Sequence, residues 1–124
     1  MSTFGDRVRK RREEKKISLR GLARQIGISG AYLSKMERGM DSPPGPETIK
    51  KIALALDLDV DVLFADAKKI DPEVRGLLGK MPGMPSFLRT AYRNKVSAKD
   101  LESALDRVLS EREKEKKRKP GGDE

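Results

Sequence analysis

Apolar residues recur along the chain three and four positions apart, the spacing that lines one face of a helix. Phe4 and Val8 share a stripe of a first helix over about Thr3–Lys15, and Ile17 packs the link that follows. Leu22, Ala23 and Ile26 form the inward face of a second helix, and Ser18 stands where a helix N-cap is needed. Gly27 tolerates the positive φ at which that helix must end, and Ser29 can cap the next helix. The third helix buries Leu33 and Met36 and stops at Gly39. Pro43, Pro44 and Pro46 make residues 40–46 a loop, because each proline removes a donor and fixes φ. A fourth helix starts at Pro46 or Glu47 with Ile49, Ile52, Ala53 and Leu56 on one face. A short fifth helix over Val60–Phe64 carries Val60, Leu63 and Phe64.

The second half repeats the spacing with fewer apolar residues. Residues 65–70 read as a connector. Asp71-Pro72 caps and opens a helix to Gly79 with Val74, Leu77 and Leu78. Pro82 and Pro85 bracket a break, after which Ser86 caps a helix through about Asn94. Ser97 and Asp100, three apart, form a capping box for a last helix with the stripe Leu101, Ala104, Leu105, Val108 and Leu109. From Glu111 to Lys119 no residue is apolar; alternating charge can prolong the helix there, but with nothing to bury the chain is expected to fray or become disordered after about Lys114. No internal repeat is present. The chain therefore divides into an N-terminal helical domain over 1–65, a helical appendage over 66–110 and a disordered charged tail over 111–124. The fold class is all-α.

Composition narrows the chemistry. Aromatic residues make up 4% of the chain, so the core is built from Leu, Ile, Val, Met and Ala. Cysteine and histidine are absent, which removes disulfides, thiolate metal sites and the commonest general base. Gly79–Gly83 contains Pro82 and follows no strand, so it is a turn and not a nucleotide loop. Asp57, Asp59 and Asp61 alternate like calcium ligands, but no glycine or distal glutamate follows at loop spacing. An enzyme, a cofactor and a metal are not expected. No apolar run reaches membrane-spanning length, and Arg7–Arg12 follow the N-terminus too closely for a signal-peptide core, which predicts a cytoplasmic protein.

Net charge is +8, as expected of a chain that neutralises phosphates. The surplus is shared between the halves, and residues 7–16 hold seven basic side chains. Asp57, Asp59 and Asp61 gather at the other end of the first domain. This distribution predicts one basic side facing DNA and an opposite acidic side turned away.

Two short helices joined at a glycine turn make a helix-turn-helix, whose second helix can enter a DNA major groove. The residues resemble the Cro and phage-repressor class of these proteins, the XRE class, from about Phe4 to Phe64. The resemblance rests on Arg12, Leu22-Ala23, Gly27, the run Tyr32-Leu33-Ser34-Lys35-Met36-Glu37-Arg38-Gly39, and the Pro-rich loop and helix over Pro43–Leu56. It implies a five-helix phage-repressor-like DNA-binding domain. It places Ser29, Gly30, Ala31, Ser34 and Lys35 against base edges. Well-known phage members carry amide side chains where this chain has Gly30 and Ala31, so Lys35 is the candidate for guanine and Ala31 for a thymine methyl. Backbone contacts fall to Ser18, Leu19, Arg20, Arg24, Tyr32 and Arg38. In the family, an Arg and a Glu at the positions of Arg12 and Glu37 pair across the first and third helices.

These residues predict a sequence-specific double-stranded DNA-binding regulator, a dimeric repressor reading a two-fold operator, with Leu101, Leu105 and Val108 as the dimer or partner surface. A domain followed by a small helical hairpin resembles the biofilm-switch repressors of Gram-positive bacteria, in which the hairpin mediates dimerisation and antagonist binding. The local match there is confined to Val96–Leu101, and mobile-element repressors of similar length fit equally. An antitoxin that autoregulates its operon and neutralises a toxin, or a protein-binding adaptor on the same fold, are the alternatives.

Overall fold

The computed structural model describes residues 3–118. They form eight helices and no strand: α1 (Thr3–Glu14), α2 (Leu19–Ile26), α3 (Gly30–Glu37), α4 (Pro46–Leu56), α5 (Val60–Asp66), α6 (Pro72–Gly79), α7 (Met84–Arg93) and α8 (Ala98–Arg118). None is long and apolar enough to cross a membrane.

Local chemistry sets the starts and stops. Ser18 accepts a bond from the Gly21 N–H at 2.9 Å, and Ser29 accepts one from the Tyr32 N–H at 3.0 Å. Gly27 takes φ +78°, which turns the chain from α2 towards α3. Asp57 closes α4 in the same left-handed region, and Asp59 caps α5 through the N–H groups of Asp61 and Val62. The alternating aspartates are thus helix-end residues.

The chain divides into two compact units that meet between Leu77 and Leu78. In the first unit, Phe4 and Val8 of α1 join Leu22, Ala23 and Ile26 of α2, Leu33 and Met36 of α3, and Ile49, Ile52, Ala53 and Leu56 of α4. Leu63, Phe64 and Ala67 close the cluster. Burying each large member contributes about 1.5–3 kcal/mol, and together they hold five short helices that would not persist alone.

This unit runs past the boundary expected at residue 65. Ala67 is buried in its core, and the Lys69 ammonium donates to the carbonyls of Pro43 and Pro44 at 3.1 and 2.8 Å. Asp71 is buried, caps α6 through the Glu73 N–H at 2.9 Å, and lies 3.4 Å from the Lys50 ammonium. The expected connector is therefore stitched to α4 and to the proline loop.

In the second unit, α7 begins before the expected Ser86 cap. Gly83 is its N-cap, without a side-chain bond, and Pro85 sits inside the first turn, where its missing N–H costs nothing. The Ser97–Asp100 box forms in both directions, with Asp100 accepting from the Ser97 N–H at 3.1 Å and Ser97 Oγ from the Asp100 N–H at 3.0 Å. α8 then continues to Arg118, through residues 111–118 expected to be disordered. Opposite charges three apart (Glu111 and Lys114, Arg112 and Glu115, Glu113 and Lys116) give that stretch local support. The remainder of the expected tail, residues 119–124, lies outside the described residues.

Candidate nucleic-acid interface

The third helix is held at its far end by α1. An added Cβ on Gly5 would lie 2.5 Å from the main-chain carbonyl oxygens of both Met36 and Glu37, so only glycine permits α1 to press on the last turn of α3. Two turns further on, the Arg12 guanidinium grips the Glu37 carboxylate with two bonds, Nε to Oε2 at 2.8 Å and Nη2 to Oε1 at 3.0 Å. Its third nitrogen donates to the Ile17 carbonyl at 2.9 Å. The side chains are 11% and 3% exposed, so the charges are largely withdrawn from water, and the bidentate geometry offsets their desolvation. The hydrogen bonds to Glu37 hold the Arg12 pKa above its ordinary value, against the opposing effect of burial. Leu33 and Met36 anchor the inner side of the helix.

The opposite side of α3 is uncommitted. Ala31 and Lys35, four apart, are exposed, with Ser34 and Tyr32 half-buried at their flanks. Gly30 is half-buried beside Leu19, and a Cβ there would make only an ordinary contact with Leu19 Cδ2 at 3.5 Å. Gly30 is therefore not demanded by the fold, unlike Gly5. Ser18 and Ser29 spend their hydroxyls as acceptors for capping, and both are exposed. Leu19 is half-buried against the core, so only its main chain is available for a backbone contact. Arg20 and Arg24 lie four apart on the outward side of α2, exposed. Arg38 is exposed and folds back, with Nε 3.4 Å from the Ser34 carbonyl.

Pairing of the cations changes the electrostatic picture expected from the sequence. Arg7 pairs with Asp66, Arg9 lies 3.8 Å from Asp6, and Lys15 lies 3.9 Å from Asp57. Arg11 donates to the Leu56 carbonyl at 2.8 Å and lies 3.5 Å from Glu14. The basic first helix and the acidic end of the domain therefore meet each other instead of occupying opposite sides. Arg7, Arg11 and Lys15 tie α1 and the residue after it to α5 and to the end of α4, while Arg9 meets Asp6 within α1. Among the described residues, the side chains of Arg20, Arg24 and Lys35 have no hydrogen-bond or ion-pair partner, and they flank the outward face of α2 and α3.

Gly5, Arg7 and Arg11 escaped sequence reasoning. A glycine within a helical stretch, here in the first turn of α1, is a readable sign of close approach. The partners of Arg7 and Arg11 are 59 and 45 residues away and left no local sign. In the second unit, Leu101 is half-buried while Leu105 and Val108 are exposed on the same stripe of α8. No group of three or more acidic side chains among the described residues is arranged to hold a metal ion.

A helix-turn-helix family profile matches residues 8–63. The repressor RghR of Bacillus subtilis is 39% identical over 71 residues, 57% of this chain and 53% of that protein. The chain thus spans about half the length of RghR. The transcriptional regulator SinR of Bacillus licheniformis is 31% identical over 103 residues, 83% of this chain and 89% of SinR. A crystal structure of SinR, the master regulator for biofilm formation, in complex with DNA is 34% identical, covers 50% of this chain and 98% of that one, and superposes with a TM-score of 0.47. With capping serines, glycine turn and outward helix face in place, and with SinR alignable over nearly its whole length, the chain belongs to the XRE-class helix-turn-helix DNA-binding transcriptional regulators.

Proposed function

We propose that the chain is a repressor that reads a two-fold operator as a dimer, with α3 in the major groove. The observation that carries this reading is the division of α3 into a fixed and an uncommitted side. Gly5, Arg12 and the core hold the helix in place, while Ala31, Ser34 and Lys35 stay open beside the unpaired Arg20 and Arg24. A rigid helix with an open face is what base readout needs, because recognition then costs little ordering. Ser29 and Gly30 open the same face at the N-terminal end. Main-chain groups from Ser18 to Arg20, together with Arg24, Tyr32 and Arg38, supply the phosphate contacts that set orientation. RghR is named a repressor, which supports repression over activation. One recognition helix touches few base pairs, so two copies about 34 Å apart on one duplex supply the discrimination. The exposed stripe of Leu105 and Val108 supports assembly through the second unit.

Lys35→Ala should relax preference at one operator position by about 1–3 kcal/mol, whereas Arg24→Ala should weaken all sequences alike. Competition gel shifts on a duplex selected by the full chain from a random-sequence pool measure both. A uniform loss with Lys35→Ala would make Lys35 a phosphate contact. A chain that selects no sequence would overturn the operator reading.

A further inference from the structure

Between Glu73 and Asp100 the chain carries no acidic residue, yet it carries Arg75, Lys80, Arg89, Arg93, Lys95 and Lys99. Elsewhere the charges are mixed; α8 alternates acids and bases along its length. In the second unit the acid-free stretch becomes α7 and its turn into α8. Arg89, Tyr92 and Arg93, at i, i+3 and i+4, share one arc of α7, away from the arc of Met84, Leu88 and Ala91. All three are exposed, Tyr92 by 85%. Lys95 follows with φ +57°, a left-handed turn that sets Lys95 and Val96 beside Tyr92. Tyr92, Arg93, Lys95 and Val96 line an open cleft of about 480 Å³. The only side-chain bond made by these cations among the described residues is from Arg93 to Thr90 Oγ1 at 3.4 Å, and none meets a carboxylate.

This treatment of cations is the reverse of that on α1, where four basic side chains, Arg7, Arg9, Arg11 and Arg12, are tied to acids or to a helix-end carbonyl. Arg93 in the last turn complements the C-terminal end of α7, but Arg89 has no such role, and the two like charges at i, i+4 repel. An exposed tyrosine among arginines combines a stacking surface with a neutral donor. That chemistry suits a polyanion.

We propose that the Arg89–Tyr92–Arg93–Lys95 arc is a second DNA-contact surface that grips the phosphate backbone of duplex outside the bases read by α3. The proposal rests on the operator reading above, and it assigns to the second unit a role separate from assembly. The apolar stripe of α8 serves association, and the cationic arc of α7 serves phosphate contact. The occupant is duplex DNA because the chain is a DNA-binding regulator and the arc carries donors without any base-reading geometry. An acidic protein segment is the competing outcome.

The test uses the full chain, the variant Arg89→Ala/Arg93→Ala/Lys95→Ala, and the duplex selected from a random pool, either trimmed to the selected sequence or extended at both ends. All three side chains are exposed, so folding is expected to survive, and circular dichroism checks it. On the extended duplex the variant should bind at least about tenfold more weakly, and the slope of log affinity against log salt should fall by about 0.9 per lost phosphate contact. On the trimmed duplex parent and variant should bind alike, and sedimentation should show the same self-association. Equal affinity and slope on the extended duplex would overturn the second surface while leaving the operator reading standing. Loss of self-association in the variant would overturn it too, making the arc a protein contact. A parent that selects no duplex would overturn the operator reading itself.

Discussion

The two units use the same helical spacing of apolar residues and finish differently. In the first, α1–α5 turn their stripes onto one another, and Phe4, Val8, Leu22, Leu33, Ile49, Ile52, Leu56 and Leu63 are sealed from water. In the second, α7 and α8 have no buried residue, and Phe87, Leu88, Leu105, Val108 and Leu109 stay exposed. An amphipathic helix shows that a face exists but not what covers it. Five short helices supply enough faces to close a core. Two helices with a short turn do not, so their apolar surface stays exposed. The closed unit suits a rigid reading head, and the open one suits assembly.

The contrast is broken most severely by charging the open face. Leu105→Asp with Val108→Asp removes no buried contact, so the first unit should keep its melting transition. Assembly through α8 should be lost, and operator affinity should fall by about 10²-fold or more, the gain that joining two half-sites supplies. Sedimentation and gel shift read the two effects separately. If the doubled variant sediments as the parent does, the stripe is not the assembly element, and the exposed face belongs to a different partner.

Within the closed unit the expected effect is on stability instead. Glu37→Ala leaves the Arg12 guanidinium largely buried without its carboxylate, which costs about 3–5 kcal/mol. Gly5→Ala forces a methyl into two main-chain carbonyls and should cost about 1–3 kcal/mol, the usual range for overpacking. Urea denaturation of the full chain measures both. Unchanged midpoints would mean that α3 is not held by α1, and the rigid-reader argument would fail with them.

These pairs show where sequence reasoning reaches and where it stops. Ser18, Gly27 and Ser29 declare the helix-turn-helix because caps and positive-φ turns are settled by neighbours within a few residues. The core list follows from the same short-range spacing. The positions around Ala31 and Lys35 were legible as an outward face, though no spacing states what touches them. Charge behaved otherwise. The basic run at residues 7–16 looked like a DNA-facing side, yet Arg7, Arg11 and Lys15 reach Asp66, Leu56 and Asp57, far along the chain. A count of charges carries no distances, so it cannot separate a cation that binds from one that braces. Lys69 reaching the proline loop escaped for the same reason, and with it the true extent of the first unit. The charged end of α8 pulls the reading two ways. Absence of apolar residues signals nothing to bury and points to fraying, while opposite charges three apart favour prolonging the helix, and α8 runs to Arg118.

The gentlest test concerns how the open unit starts its long helix. Without a buried core, α8 relies on local bonds, and its first turn depends on the Ser97–Asp100 box. The Ser97 main-chain N–H, and after it the Ser97 side chain, hold the Asp100 carboxyl below its ordinary pKa. A carboxylate with a depressed folded-state pKa adds stability that is complete above the ordinary value, near about 3.9. That stability is lost as pH falls through the lower, folded-state value. Acidification should therefore release the Ser97 N–H and fray the start of α8. The signal is the Ser97 amide in proton NMR, followed from about pH 6 down to about pH 2. Asp100→Ala should remove the titration and leave that amide exchanging freely at every pH. An amide that stays protected through the acid range would show that the start of α8 is held by something other than its cap, and the contrast between a packed unit and a locally held one would then need redrawing.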